Sequence, residues 1–214
     1  MLKKFFSHEQ IDKLLVYKNM IREYHDSLHL VSDRLLNELD EQIIDSVYLW
    51  NFIEETPTII DVGSGNGLLG IVLGIKGASG LLVDTNKKKA AFLDLVVKNL
   101  RLSMSVVASS IRNIESANQS WIIAKGFGPL VKCLAANKKL WNKNTSGLFI
   151  KSESVQKEID DALAKGWKFK YTIHHRHIRG TIVKIEDVEF KENSGGSKSK
   201  RRSWKNNNSG KFSC

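Results

Sequence analysis

The segment IIDVGSGNGLLGIVLGI, residues 59–75, constrains this chain more than any other part of the sequence. An apolar run with one acid, Asp61, leads into glycines at Gly63, Gly65 and Gly67, and a second apolar run follows. This order predicts a strand, a tight turn and a helix. Backbone N–H groups and the helix dipole at such a turn favour polar or anionic groups of a ligand. The segment therefore predicts a ligand site at the carboxyl end of a strand.

Short apolar strands alternate with helical segments after this loop. We predict strands at residues 58–62, 80–84, 104–109, 120–125, 147–151, 167–175 and 180–188. Helices are predicted through residue 75 and at 86–102, 129–141 and 153–165, with Ala91, Leu95 and Leu102 on one face of the second. Alternation of this kind indicates a mostly parallel sheet covered on both faces. The last two strands follow each other without a helix, so they should pair as an antiparallel hairpin.

The N-terminal part is helical and acidic. Ser7 precedes Gln10 at the spacing of a capping box, and apolar residues recur behind it at helical intervals. A second helix is predicted from Leu39 to Phe52, and Pro57 closes this part. We therefore divide the chain into an N-terminal helical extension (1–57), an α/β domain (58–190) and a tail (191–214).

Charge is distributed unevenly along a chain whose formal net charge is +10. Residues 1–60 hold 6 Lys or Arg against 11 Asp or Glu, whereas residues 191–214 hold 7 against 1. An excess of cations indicates a polyanionic partner such as nucleic acid, although solubilising charge would look the same. The tail has little apolar content and is predicted to be disordered, either as a solvated tail or as a flexible basic arm on RNA with Trp204 available for stacking.

Cysteine is scarce, with only Cys133 and Cys214, so neither a disulfide framework nor a zinc site is indicated. His174, His175 and His177 alternate near the predicted hairpin, but no carboxylate or cysteine accompanies them, and we predict no metal. The N-terminus lacks the apolar stretch of a signal peptide, and no segment is long enough to span a membrane. A monomeric cytoplasmic protein is the expectation.

An acid at the end of the second strand points to a nucleoside. Asp84 lies 21 residues after Gly63, where a carboxylate accepts hydrogen bonds from both ribose hydroxyls. Residues 65–70 also fit G-x-G-x-x-G, the dinucleotide pattern. Two features favour S-adenosylmethionine over a nicotinamide cofactor: Asp61 can engage an ammonium group, and the predicted hairpin gives the sheet an antiparallel strand.

These motifs resemble the RsmG family, also called glucose-inhibited division protein B, over roughly residues 10–190. The loop reads like the family's own, with Leu69 where proline is usual, and LVDTNKKKAAFLDLVVKNLRL (82–102) resembles its next segment. QIIDS (42–46) matches a family element that begins with histidine. Looser matches are His29-Leu30-Val31 and Arg179-Gly180. The resemblance implies the Rossmann-like fold of class I methyltransferases and methyl transfer from S-adenosylmethionine to N7 of a guanine in 16S ribosomal RNA, free or in the small subunit.

The resemblance and the loop together give the expected site. Ile111-Arg112 stand where the family has Val-Glu, so Arg112 reverses a charge, and Lys125-Gly126 stand where it has Arg-Ala. Lys125 is the expected catalytic residue, through orientation of a phosphate or of the cofactor carboxylate. Guanine N7 carries no proton, so no general base is expected. The expected cofactor-binding residues are Asp61, Gly63, Gly65, Gly67, Leu68, Asp84, Ile111, Arg112 and Lys125.

Two other functions stay open at this point. A nicotinamide-dependent oxidoreductase would use the same glycine loop and the same acid. A non-catalytic RNA-binding relative of the methyltransferase is suggested by Arg112 and Lys125, the two departures from the family pattern.

Overall fold

The computed structural model describes residues 2–30, 32–53, 57–115, 118–175 and 180–190. The strands within these ranges are β1 (Thr58–Val62), β2 (Ser79–Asp84), β3 (Met104–Ala108), β4 (Trp121–Lys125), β5 (Ser146–Lys151), β6 (Trp167–His175) and β7 (Thr181–Phe190). The α-helices within them are α1 (His8–Leu28), α2 (Asp33–Asn37), α3 (Leu39–Val47), α4 (Gly70–Lys76), α5 (Lys87–Leu100), α6 (Leu130–Ala136) and α7 (Val155–Ala164). Short 3-10 turns cover Leu2–Lys4, Tyr48–Phe52 and Ile111–Asn113.

The described strands form one sheet in the order β3-β2-β1-β4-β5-β7-β6. The first five strands pair in parallel, and β7 pairs antiparallel with both β5 and β6. The predicted seven-stranded α/β sheet with an antiparallel C-terminal hairpin is thus confirmed. The strand order reverses direction between β1 and β4. A crevice opens at such a reversal, beyond the carboxyl ends of the strands, and it is there that the glycine loop leaves β1.

Several predicted helices differ in extent from the observed ones. The short helix α2 was not predicted, and the segment 39–52 divides into α3 and a 3-10 turn. The helix predicted over 129–141 ends at Ala136. Asn137 accounts for this end, because its side-chain amide donates to the Cys133 carbonyl at 2.7 Å and competes with continued helix.

The face of α5 that packs inward is not the one that carries Ala91 and Leu95. Its buried residues are Ala90, Phe92, Leu93, Val96, Val97 and Leu100. Leu95 is 40% exposed, and Ala91 lies on the same outer side. The reason is that α5 packs against β2 and β3 and also against α1, where the rings of Tyr24 and Phe92 lie 5.8 Å apart. The buried stripe of α5 therefore faces both the sheet and α1.

The N-terminal helices share their core with the sheet. Leu14, Tyr17 and Ile21 of α1 are fully buried in the same apolar cluster as Ile71 and Leu93. The Ser7–Gln10 capping box at the start of α1 is present as predicted. Because the apolar core includes residues from both sides of position 57, the core does not mark a boundary there. The division of the chain at residue 57 stays a prediction.

Some sequence predictions fall on residues that lie outside the described ranges. These are Val31, His177, Arg179 and the whole tail from residue 191, including Trp204. Among the helices that are described, none combines the length and apolar character needed to cross a bilayer.

Tyr17 connects α1 to the glycine loop, because its buried hydroxyl donates to the carbonyl oxygen of Asn66 at 2.8 Å. We predict that Tyr17→Phe lowers the free energy of unfolding by about 1 kcal/mol, the net contribution of one such hydrogen bond. Urea unfolding of both proteins measures the difference. Tyr48→Phe, at a tyrosine that is 38% exposed, is the matched control. Equal changes in the two variants would contradict the prediction.

Candidate cofactor-binding and active site

The glycine loop, residues 63–69, lies across the carboxyl end of β2. The N–H of Gly63 donates to the Val83 carbonyl at 2.8 Å, and the N–H of Gly65 donates to Oδ2 of Asp84, also at 2.8 Å. The loop is therefore held by the neighbouring strand and not only by its own two ends.

Gly63 and Gly65 are two of the loop positions that require glycine. Gly63 and Gly65 have φ of +70° and +60°, in the left-handed region that side chains other than glycine rarely adopt. A Cβ at Gly63 would also lie 2.9 Å from the ring of Phe127. At Gly65 a Cβ would meet only the Gly63 carbonyl oxygen, at 3.9 Å, so the space beside this glycine is open. A ligand can approach the backbone there.

Asp84 organises the edge of the site. Its Oδ1 accepts from the N–H of Asn86 at 2.8 Å, while Oδ2 accepts from Gly65. Asn86 in turn caps α5 by accepting from the N–H groups of Lys88 and Lys89. Each carboxylate oxygen of Asp84 can accept a further hydrogen bond, so the same group can serve a ligand.

A cavity of about 310 Å³ opens beside Asp84; we name it the β2-side cavity. Apolar side chains of Val83, Ile111 and Phe127 form part of its wall. The hydroxyl-bearing residues Ser109 and Ser110 line it as well, together with Thr85 and Lys132. A cavity with one apolar wall next to a carboxylate suits a flat heterocycle that carries a diol.

A second cavity, of about 190 Å³, lies between the glycine loop and the N-terminal helices; we name it the α3-side cavity. Asp61 and Lys125 line it from the ends of β1 and β4. The N-terminal part contributes Gln42 from α3 together with Leu30 and Leu35. Gly63 lines both cavities, so they meet at the loop.

Asp61 is a buried acid, only 2% exposed. Its Oδ2 accepts from the N–H of Gly70, the first residue of α4, at 3.0 Å. Burial raises the pKa of Asp61 to about 7, the Gly70 hydrogen bond offsets part of that rise, and the charge of Asp84 adds to it. Near neutral pH the acid can therefore switch between charged and neutral forms, and a nearby cation would favour the charged form.

Lys125 ends β4 and is half-buried. Its ammonium donates to Oε1 of Gln42, a residue 83 positions earlier in the chain. An acid and an ammonium thus line one small cavity. That pair of charges is complementary to an amino-acid group, which carries one ammonium and one carboxylate.

The structure brings most of the predicted site residues together. Asp61, Gly63, Gly65, Leu68 and Lys125 line the α3-side cavity. Gly63, Asp84 and Ile111 line the β2-side cavity. The roles assigned to these residues stay predictions.

Gly67 and Arg112 are not among the described residues that line either cavity. Gly67 lies beneath the loop; its φ is +90°, and a Cβ there would also meet Ile71 and Leu93 at 2.6 and 2.7 Å, so both the backbone conformation and the packing require glycine. Arg112 is exposed on the 3-10 turn that follows β3.

Sequence reasoning missed Phe127 and Lys132 as lining residues of the β2-side cavity. Gly126 and Gly128 flank Phe127 with positive φ, and a glycine pair just after a predicted strand was the available signal. Gln42 was noted only as a departure from a family pattern. The signal for its role was an amide on the buried face of an amphipathic helix.

The mixed sheet and the loop that crosses its reversal point, with an acid on each of β1 and β2, define a class I methyltransferase fold. Solved structures of other methyltransferases share it, and two are compared with this chain. A ribosomal protein L11 methylase from Lactobacillus delbrueckii subsp. bulgaricus is 16% identical, with a TM-score of 0.52 over 72% of this chain and 78% of that one. A tRNA methyltransferase from B. subtilis is 16% identical, with a TM-score of 0.53 over 68% and 64%.

Residues 10–181 match the family model described as rRNA small subunit methyltransferase G, and the chain belongs to this family. A protein named ribosomal RNA small subunit methyltransferase G from Granulibacter bethesdensis is 29% identical over 85% of this chain and 87% of its own length. Its namesake from Rickettsia prowazekii is 30% identical over 84% of this chain and 95% of its own length. The predicted resemblance is confirmed.

The raised pKa of Asp61 makes stability depend on pH. Because the folded state holds this proton more tightly than the ordinary pKa of 3.8 implies, the free energy of unfolding should fall as pH rises from about 4 to about 7 and then level off. Asp61→Asn cannot titrate, so the stability of the unaltered chain relative to this variant should fall over that window. Urea unfolding between about pH 5 and pH 8 measures it.

Asp94→Asn is the matched control, because it makes the same substitution at a surface acid on α5 that pairs with Lys98. A flat difference for Asp61→Asn would show that Asp61 titrates in its ordinary range.

Proposed function

We propose that this protein transfers a methyl group from S-adenosylmethionine to N7 of a guanine in 16S ribosomal RNA, free or in the small ribosomal subunit. Membership of the family supports the reaction, and the names of the relatives support the RNA. One observation in the structure carries the assignment of the site. Two cavities meet at Gly63, with Asp84 in one and the Asp61–Lys125 pair in the other.

The residues present fit S-adenosylmethionine. In the β2-side cavity, Asp84 would accept from the ribose hydroxyls, and Ile111 and Phe127 would pack on the adenine. In the α3-side cavity, Asp61 would hold the ammonium and Lys125 the carboxylate of the methionine part. When bound, S-adenosylmethionine supplies an electrophilic methyl group on a sulfonium.

The chain's own contribution to the chemistry is orientation. Guanine N7 presents an in-plane lone pair and has no proton to lose, so no side chain must act as a base. Lys125 would fix the position of the donor at the cavity and add a positive charge beside it. Walls formed by Leu30 and Leu35 would limit water there. Positioning and fixed charge of this kind can supply a large part of a rate enhancement.

Lysines at the β2-side cavity and at the start of α5 support an RNA substrate. Lys87 and Lys88 at the start of α5 are exposed, as is Lys132, which lines the cavity itself. Lys89 is half-buried in the same turn. Cations at the mouth of a site can hold phosphates on either side of a target base, and their contribution falls with salt.

Of the competing functions, the family match favours the methyltransferase over the nicotinamide-dependent oxidoreductase. Turnover decides between an enzyme and a non-catalytic RNA-binding relative. Action as a monomer and a cytoplasmic location stay predictions.

The first test of the site concerns the donor. Asp84→Ala should weaken S-adenosylmethionine binding by about 10- to 100-fold, because a hydrogen bond to a charged group contributes about 1.5–3 kcal/mol. Calorimetric titration measures the affinity. Gly65→Val should abolish binding, since its side chain fills the open space beside the loop. Asp94→Asn should bind like the unaltered chain. Unchanged affinity in both loop-edge variants would refute the assignment.

The second test concerns the reaction. Lys125→Ala should slow methyl transfer to small-subunit particles by about 10- to 100-fold, which corresponds to roughly 1.4–2.8 kcal/mol of barrier. Lys125→Arg keeps the charge and should retain activity. Single-turnover transfer from labelled S-adenosylmethionine gives the rate, and nucleoside analysis of digested 16S RNA identifies the product.

Label on 7-methylguanosine supports the proposal, and label on another nucleoside would refute N7 as the acceptor. No transfer by the unaltered chain would favour the non-catalytic relative. A normal rate for Lys125→Ala would show that Lys125 has no role in methyl transfer.

A further inference from the structure

We propose that Gln42 is a positioning residue that fixes the ammonium of Lys125 in the α3-side cavity; this inference rests on the proposed function. The two side chains come from distant parts of the chain, α3 and the end of β4, and meet through a hydrogen bond from the Lys125 ammonium to Oε1 of Gln42. Both line the same cavity as Asp61. The contact makes the N-terminal part of the chain a component of the active site.

Gln42 is well placed to serve as a fixed anchor. Its side chain is buried, with the residue only 4% exposed. The neighbouring residues Leu39 and Ile43 belong to the apolar core, and the hydroxyl of Ser46 donates to the Gln42 carbonyl at 2.8 Å. The helix that carries Gln42 packs against α4, the helix that follows the glycine loop. The backbone that carries Gln42 is therefore held in a fixed relation to the loop, and its buried side chain reaches Lys125 from there.

Lys125 benefits from such an anchor because a lysine side chain has four rotatable bonds and a mobile charge. Held by a buried acceptor, the ammonium occupies one position at the cavity, and less side-chain entropy is lost when a ligand binds. An amide oxygen also accepts the hydrogen bond without adding a negative charge of its own. Gln42 would thus fix the position of the Lys125 ammonium without neutralising its positive charge.

A buried glutamine could also serve stability alone. The two roles differ in one respect: a positioning role acts through Lys125, whereas a stabilising role does not depend on it. A double-mutant cycle separates them. The cycle uses Gln42→Met, which keeps the length of the side chain and removes the oxygen acceptor, and Lys125→Met, which removes the ammonium.

The experiment measures S-adenosylmethionine affinity by calorimetry and single-turnover methyl transfer for the full-length chain, the two single variants and the double variant. We expect Gln42→Met to slow transfer and to weaken binding. The two factors multiplied together should be about tenfold, which is the effect of one charged hydrogen bond. In the Lys125→Met background the same change should alter both quantities by less than about twofold. Equal losses in the two backgrounds, or no loss with Lys125 present, would overturn the inference.

If Gln42→Met does not fold, Gln42→Asn replaces it in the cycle. The criterion is unchanged: its effect must be lost in the Lys125→Met background. Gln42→Asn keeps the amide but moves the acceptor away by one methylene. Thermal unfolding of every variant identifies effects on the fold. If the unaltered chain binds S-adenosylmethionine but the two positions show no coupling, only this inference fails. If the unaltered chain does not bind it at all, the proposed function fails and takes the inference with it.

Discussion

The carboxylate of Asp84 is the interaction on which the rest of the site depends. One oxygen accepts from the N–H of Gly65 and the other from the N–H of Asn86, so a single side chain fixes the glycine loop and the entry to α5. Both cavities take their shape from that loop, because Gly63 lies at the point where they meet. A group that already holds the backbone in place can receive a ribose without rearrangement, and such preorganisation lowers the cost of binding.

The N-terminal helices contribute to the site as well as to the core. Tyr17 holds the far side of the glycine loop through the Asn66 carbonyl, and Gln42 reaches the ammonium of Lys125 from α3. Leu30 and Leu35 close the same cavity from above. The sheet supplies the loop and the two acids, whereas the wall of the α3-side cavity opposite the loop comes from residues that precede β1. Substitutions in these N-terminal residues can therefore change the ligand preference of the cavity without altering the loop.

The fold was predictable from the sequence to the extent that local pattern determines it. Apolar runs separated by helical segments gave all the described strands, and the absence of a helix between the last two gave the antiparallel hairpin. Tertiary contacts determine features that the local sequence pattern does not predict, such as which side of a helix is buried. The buried residues of α5 face β2, β3 and α1, and Leu95 lies outside this buried stripe. In the site, a glycine pair and strand-end acids were visible in the sequence, but the meeting of Gln42 with Lys125 was not, because 83 residues separate them.

The carboxyl group of Asp61 and the ammonium of Lys125 line the same small cavity. Burial brings the pKa of Asp61 to about 7, so in the ligand-free protein near neutral pH a substantial fraction of this group is uncharged. In the proposed site, the ammonium of a ligand would favour the ionised acid and release a proton, and the ligand carboxylate would be matched by Lys125. Binding of an amino-acid group would thus complete two charge pairs at once. A ligand with only one of these charges would leave the other side of the cavity unmatched, which favours a zwitterionic donor over a simple nucleotide.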